Sequence, residues 1–156
     1  MQQGKAVRTQ LSVRYADTDQ MGVVYYANYL VWFEVGRNAF FRVLGDSYRR
    51  WEEAGLLLPV VEAGCRYYQP AHYDDEVTVA TTLANLSVAR LTFTYRVERG
   101  TVLLAEGHTV HAFLGPGGRP VNLKKAFPGL WDKLLPCVAP PAGREPGTPG
   151  AAKQRG

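Results

Sequence analysis

Hydrophobic and polar positions change period several times along the chain, and each change marks an element. Residues 7–15, VRTQLSVRY, alternate imperfectly and suit a first strand. From Asn28 to Leu44 the period becomes helical. Glu34, Arg37, Asn38 and Arg42 form one polar stripe, and nearly everything else in NYLVWFEVGRNAFFRVL is apolar or aromatic. So narrow a polar stripe predicts a helix buried on most of its circumference, with Asn28 as N-cap and Gly45 as its stop. A short helix is expected over Ser47–Ala54, closed by Gly55.

The pattern then turns to strands. LLLPVVEAGCRYYQPA (56–71) reads as strand with a proline interruption, and DDEVTVATTLANLS (74–87) as the next strand. RLTFTYRVER (90–99) is the clearest, with Leu91, Phe93, Tyr95 and Val97 on one face and Arg90, Thr92, Thr94 and Arg96 on the other. TVLLAEGHTVHAFL (101–114) is a further strand, GPGGRP (115–120) a hairpin turn, and VNLKKAF (121–127) a final edge strand or short extension. The order predicts an α+β domain in which a largely antiparallel sheet curls around one long helix. From Pro136 the composition collapses to Pro, Gly and Ala. The expected division is a folded domain over 1–135 and a disordered tail over 136–156.

Composition narrows the class. With 46% hydrophobic and 21% charged residues in 156, this is one soluble-type globular domain. The net charge is +4, but the tail holds Arg144, Lys153 and Arg155 against Glu145. Residues 1–135 keep 15 basic and 13 acidic side chains, too balanced for a nucleic-acid partner. No apolar run reaches membrane-spanning length and no signal-type segment opens the chain, so the expectation is a cytoplasmic protein without membrane insertion. Cys65 and Cys137 lack close partners in sequence; neither a disulfide framework nor a zinc site is expected, and Cys65 reads as a small buried hydrophobe.

The candidate chemistry lies in RYADTDQMGVVYYANY (14–29). No nucleophile elbow, P-loop or dinucleotide fingerprint is present. His108 and His111, three apart in a strand, fall on opposite faces and make poor joint metal ligands; His72 stands alone in a loop. Structural or surface roles suit all three, and no metal is expected. Asp17 and Asp19 admit three readings. Both could solvate the loop or cap the helix. They could hold a divalent cation, although the further oxygen ligands that would need are missing nearby. Or one carboxylate could attack, or activate water to attack, a carbonyl held at the helix N-terminus, where free amides favour negative charge. Gly22 lets the loop bring carboxylate and amides together. A thioester suits an unaided carboxylate, because a thiol with pKa near ~8.5 leaves readily as thiolate.

RYADTDQMGVVYYANYLVWFEVGRNAFF (14–41), with its D-x-D-x-x-G-x-V-Y-Y-x-N-Y core, resembles the signature of hotdog-fold acyl-CoA thioesterases. The likeness is to the 4-hydroxybenzoyl-CoA thioesterase family and, within it, to the bacterial acyl-CoA thioesterases associated with the Tol-Pal system. CRYYQPAHYDDEVTV (65–79) resembles the family's sheet segment, and the likeness spans about residues 8–135. It implies a hotdog fold: a long central helix wrapped by a curved, mainly antiparallel sheet of five to six strands. It implies hydrolysis of acyl-CoA to acid and free coenzyme A, the coenzyme being part of the substrate and no cofactor being needed. Asp19 matches the catalytic carboxylate, as nucleophile or general base, and Tyr26 the position whose backbone N–H polarises the carbonyl. Asp17 would be structural. Gly22, Val23 and Tyr25 would line the substrate site, with Arg90, Lys124 and Lys125 as candidate partners for the coenzyme phosphates. Many Tol-Pal-associated members carry histidine where this chain has Tyr26, whereas the Tyr25–Tyr26 pair is nearer the hydroxybenzoyl enzymes. The family also implies at least a homodimer, and a tetramer by extension, with the site at the subunit interface. An acyl-carrier-protein thioester is the alternative substrate, and a non-catalytic acyl-CoA-binding protein the alternative class. Glu34 invites comparison with hotdog dehydratases, but their proline-glycine segment is absent; it reads as part of the polar stripe, pairing with Arg37 or Asn38.

Overall fold

A computed structural model describes residues 4–45 and 48–141. Five strands form one antiparallel sheet in the order β1-β3-β4-β5-β2: β1 (Val7–Ser12), β2 (Val60–Tyr67), β3 (Glu76–Leu86), β4 (Arg90–Arg99) and β5 (Val102–Ala112). The long helix α1 (Asn28–Val43) packs on one face, and α2 (Tyr48–Glu53) follows it. The strict alternation of β4 decides which face that is. Leu91, Phe93, Tyr95 and Val97 are all buried toward α1.

The contact between helix and sheet is close because two glycines remove side chains from it. A Cβ on Gly36 would strike Thr81 Oγ1 and lie 3.0 Å from Val79 Cγ1. A Cβ on Gly107 would sit 2.6 Å from the Phe33 ring. Phe33 therefore lies flat on the sheet, stacked on Tyr95 at 4.3 Å with 5° between planes. Phe40 and Phe41 both meet Phe93 edge-on, at 5.1 and 5.9 Å, so α1 is anchored along its length by aromatic rings.

Several boundaries differ from the expectation. Ala27, not Asn28, takes the N-cap position of α1; Asn28 turns its amide back to donate to the Asp17 carbonyl at 2.9 Å. Gly45 stops the helix as expected, at φ +82 with its N–H on the Arg42 carbonyl. Ser47, the expected start of the second helix, lies outside the described residues. VNLKKAF forms no edge strand. Asn122 accepts from the Lys125 N–H at 3.1 Å and caps a short helix, α3 (Leu123–Ala126), and α4 (Pro128–Leu134) follows. Lys, Leu and Ala favour helix once a cap is in place. The tail also begins later than Pro136. Cys137 is buried in the core and the Ala139 N–H bonds the Leu83 carbonyl at 2.9 Å, so chain from 136 to 139 belongs to the folded body. Residues 142–156 lie outside the described residues.

The two edges of the sheet are unlike. Along β1, exposed and half-buried residues alternate, and Arg8, Gln10 and Ser12 are the exposed ones. Along β2, Val60 and Val61 are each 47% exposed, with Ala63, Tyr67 and Tyr68 also open. No helix of the described residues is long and apolar enough to cross a membrane.

Candidate functional site

The loop between β1 and α1 is built around Asp17. Its carboxylate accepts the Arg14 N–H at 2.8 Å and the Arg14 Nη2 at 2.9 Å. Its carbonyl accepts the Tyr25 N–H at 2.8 Å and the Asn28 amide. The side chain is buried. Burial pushes the Asp17 carboxyl up, but hydrogen bonds and charge from Arg14 outweigh it and hold the group below its ordinary range. Asp17 is thus spent on fixing both ends of the loop.

Asp19 stands at the turn of the same loop. Its N–H bonds the Val23 carbonyl at 2.9 Å and its carbonyl accepts the Gly22 N–H at 3.0 Å, closing a tight turn. Gly22 takes φ +78 there, with open space where a Cβ would stand, so glycine is required for conformation and not for room. One carboxylate oxygen accepts the Met21 N–H at 2.8 Å; among the described residues the other is unbonded. Asp19 faces a cavity of about 310 Å³ shared with Val23, Tyr26, Tyr29 and the Tyr67–Pro70 segment.

The start of α1 forms the opposite wall. Asn28, Tyr29 and Leu30 N–H groups bond the carbonyls three residues back, Tyr25, Tyr26 and Ala27. The orphan donors of the helix start are therefore the Tyr26 and Ala27 N–H groups, to which no acceptor is bonded among the described residues. The peptides that carry them are polarised from the other side. The Tyr25 carbonyl accepts from Asn28, and the Tyr26 carbonyl accepts the Tyr67 hydroxyl at 2.8 Å. Burial first, then the Cys65 thiol beside it, pushes the Tyr67 phenol up, so it stays protonated and donates. Tyr67 also meets Tyr29 edge-on at 5.0 Å, which ties the end of β2 to the start of α1.

The Tyr-Asp-Asp turn holds this assembly from below. The Val24 N–H reaches the Ala71 carbonyl at 2.9 Å, and the Val13 N–H the Asp75 carbonyl at 2.8 Å. Asp75 accepts the His72 N–H and Arg99 Nη1, each at 2.9 Å; burial raises its carboxyl, and these donors more than reverse the shift. Arg99 also donates to the Pro70 carbonyl at 3.1 Å.

Asp19, Gly22, Val23, Tyr25 and Tyr26 thus lie on one loop, of which Asp19, Val23 and Tyr26 line the cavity. The Tyr25 ring lies tilted against Tyr26 at 4.8 Å and does not line the cavity. Arg90, Lys124 and Lys125 are not brought there. Arg90 begins β4 opposite Ala112, and α3 is tied to the β3–β4 turn by the Leu123 N–H on the Val88 carbonyl. The Asp19 loop lies instead at the other end of β3, beside Glu76, so within one protomer these three cations lie away from the Asp19 cavity. Nor does Glu34 pair with Arg37 or Asn38 among the described residues; Arg37 reaches across to the Tyr95 hydroxyl at 3.1 Å. His108 and His111 do fall on opposite faces. His108 meets Glu62 at 2.6 Å on the outer side, whereas His111 is buried under α1. The Tyr67–Pro70 wall was missed in sequence. Its YYQP run belongs to the segment that resembles the family's sheet, but nothing local shows that it folds back onto Tyr26. No cluster of three His, Cys, Asp or Glu side chains among the described residues is placed to hold a metal ion.

The sequence profile of the thioesterase-like superfamily matches residues 13–139. YneP of Bacillus subtilis (strain 168) is 37% identical over 123 residues, covering 78% of this chain and 89% of that protein. The acyl-CoA thioesterase YbgC of Haemophilus influenzae is 35% identical over 121 residues, covering 74% and 89%. Among solved structures, the DHNA-CoA thioesterase of Staphylococcus aureus superposes with a TM-score of 0.79 at 31% identity, over 82% of this chain and 87% of that one. The chain belongs to the thioesterase-like superfamily, and its helix-on-sheet architecture is the hotdog fold of that group.

Proposed function

We propose that this member of the thioesterase-like superfamily hydrolyses an acyl-CoA thioester to the carboxylic acid and free coenzyme A, with Asp19 supplying the reacting carboxylate. The observation that carries the reading is a pair on residues that line one cavity: a carboxylate with a free oxygen on Asp19, and the unbonded N–H of Tyr26. The thioester carbonyl oxygen accepts from the Tyr26 N–H, with the Ala27 N–H beside it. As the carbonyl carbon becomes tetrahedral, negative charge collects where those amides and the helix dipole point. One such donor is worth about 3 kcal/mol in comparable sites.

Asp19 acts in one of two ways. As general base it takes a proton from water, whose oxygen bonds the carbonyl carbon while the carbon–sulfur bond breaks. As nucleophile it forms a mixed anhydride and releases thiolate, and water then cleaves the anhydride. Either way water is consumed and the sulfur takes up a proton from solvent. Thiolate departs without a dedicated acid, which fits a cavity with no histidine in its wall.

The dimer implied by the family resemblance has a natural seat at the free edge of β2. Exposure of Val60, Val61 and Tyr67 on it is costly in water, and a second copy of the same strand would satisfy its unpaired backbone groups.

Thiol release from a panel of aliphatic and aromatic acyl-CoAs tests the reading. Turnover by wild type and a fall of at least about 100-fold in Asp19→Asn is expected. No release by wild type across the panel would overturn it.

A further inference from the structure

Acid and amides reach the cavity on different pieces of backbone. Asp19 comes from the tip of the β1–α1 loop, and the unbonded Tyr26 and Ala27 N–H groups from the start of α1. The tip between them is open: Met21 is 83% exposed, and a Cβ on Gly22 would meet no other atom. The spacing of carboxylate and amides therefore depends on what lies beneath the loop.

Ala71 lies there, fully buried. Its carbonyl accepts the Val24 N–H at 2.9 Å. Val24 pairs across an antiparallel bridge with Thr18, the residue before Asp19, and Val23, whose carbonyl closes the Asp19 turn, pairs in the same way with His72. The Ala71 backbone is also hydrogen-bonded to the Tyr29 phenol. Tyr29 belongs to the first turn of α1 and bonds the Tyr26 carbonyl through its own N–H at 3.3 Å. One buried residue thus joins the segment behind the acid to the helix turn behind the amides.

Arg99 grips the chain on both sides of Ala71. A single nitrogen, Nη1, donates to the Pro70 carbonyl at 3.1 Å and to Asp75 Oδ2 at 2.9 Å. The same Asp75 oxygen accepts the His72 N–H at 2.9 Å, so the residues flanking Ala71 are tied to one point. Arg99 is the last residue of β4, and the grip therefore fixes the turn to the body of the sheet. The turn is one that needs holding. Asp74 takes φ +69, the one positive φ of a non-glycine residue among those described, and such a conformation persists where its surroundings over-determine it. The Arg99 and Asp75 side chains are 35% and 23% exposed, sheltered enough for a charge-assisted bond to keep its geometry. Arg99 does not line the Asp19 cavity.

We infer that Arg99 is a positioning residue for the hydrolysis: through Pro70, Asp75 and Ala71 it sets the distance between the Asp19 carboxylate and the Tyr26 N–H without touching the substrate. This rests on the thioesterase reading above.

Arg99→Met keeps the stem and removes both bonds. With the best acyl-CoA of the panel, at a temperature where urea titration shows the variant fully folded, kcat should fall at least about 10-fold with KM changed by less than about 2-fold. Arg99→Lys presents one nitrogen with donors for both acceptors and should recover most of that loss. The double variant separates placement from general support. In Asp19→Asn there is no acid left to misplace, and Asp17 still holds the Tyr25 and Asn28 backbone around the amides. Single-turnover thiol release by Asp19→Asn and by Asp19→Asn with Arg99→Met should therefore agree within about 2-fold. An equal loss from Arg99→Met in both backgrounds would make Arg99 a support for the fold as a whole and overturn the inference. So would a folded Arg99→Met with the kcat of wild type. In both of those cases wild type still releases thiol and the thioesterase reading stands; no release by wild type removes the two together.

Discussion

The entrance of the β1–α1 loop and its tip both carry an aspartate. Asp17, at the entrance, is buried, holds Arg14 through two bonds from side chain and backbone, and through its carbonyl ties down Tyr25 and Asn28. Asp19, at the tip, keeps one oxygen on the Met21 N–H and turns toward an open cavity. The two differ in what surrounds them and not in residue type. A buried carboxylate with both oxygens bonded is a bolt, and one with an oxygen to spare beside unbonded amides is a reagent. The bolt also serves the reagent, since by fixing Tyr25 and Asn28 it sets where the Tyr26 N–H points.

This contrast separates activity from stability. The largest effect expected is in Asp19→Asn: kcat/KM for the best acyl-CoA falls by 100-fold or more, about 2.7 kcal/mol or above, while the urea midpoint moves by no more than about 0.5 kcal/mol in stability. A comparable loss of stability would break the contrast. Next comes Asp17→Ala, which removes the part-buried acceptor of the Arg14 N–H and the carboxylate that holds the loop entrance. Urea unfolding should show a loss of about 2 kcal/mol, with activity falling only as the loop loosens.

Acid sharpens the comparison further. Because Arg14 holds the Asp17 carboxyl below its ordinary 3.8, the folded state favours the charged form. The stability it contributes is fully present above that pH and is lost as pH falls through the depressed value. Between pH 4.5 and pH 3, wild type should therefore lose more stability than Asp17→Asn, by urea denaturation at each pH. Equal losses would show that Arg14 does not hold the group. The smallest effect belongs to Tyr67→Phe, which removes the hydroxyl from the Tyr26 carbonyl. A cost of about 1 kcal/mol, or roughly 5-fold in kcat/KM with KM little changed, is expected if that bond sharpens the amide wall.

Much of the fold was legible in the chain. The helix from Asn28, its glycine stop and the alternation of β4 follow from period alone, because each depends on neighbours within a few residues. The 121–127 segment misled for the same reason. Its apolar positions fit a strand, and the Asn122 cap that makes it a helix is one hydrogen bond among many a sequence permits. The cysteine at 137 sits in a run whose composition reads as tail, yet it is buried by contacts with residues far away in sequence.

The site divides along the same line. By itself the sequence determined that an acid, a loop glycine and a helix start would meet, since all lie between residues 17 and 28 and the loop is too short to part them. Which aspartate is locked, that Tyr67 closes the far wall, that Arg90 and Lys124 lie at the other end of the sheet, and that His111 lies beneath Arg37 were decided only by tertiary structure. Each depends on strand register and on which face of α1 meets the sheet, and pairings across tens of residues leave no mark on local spacing.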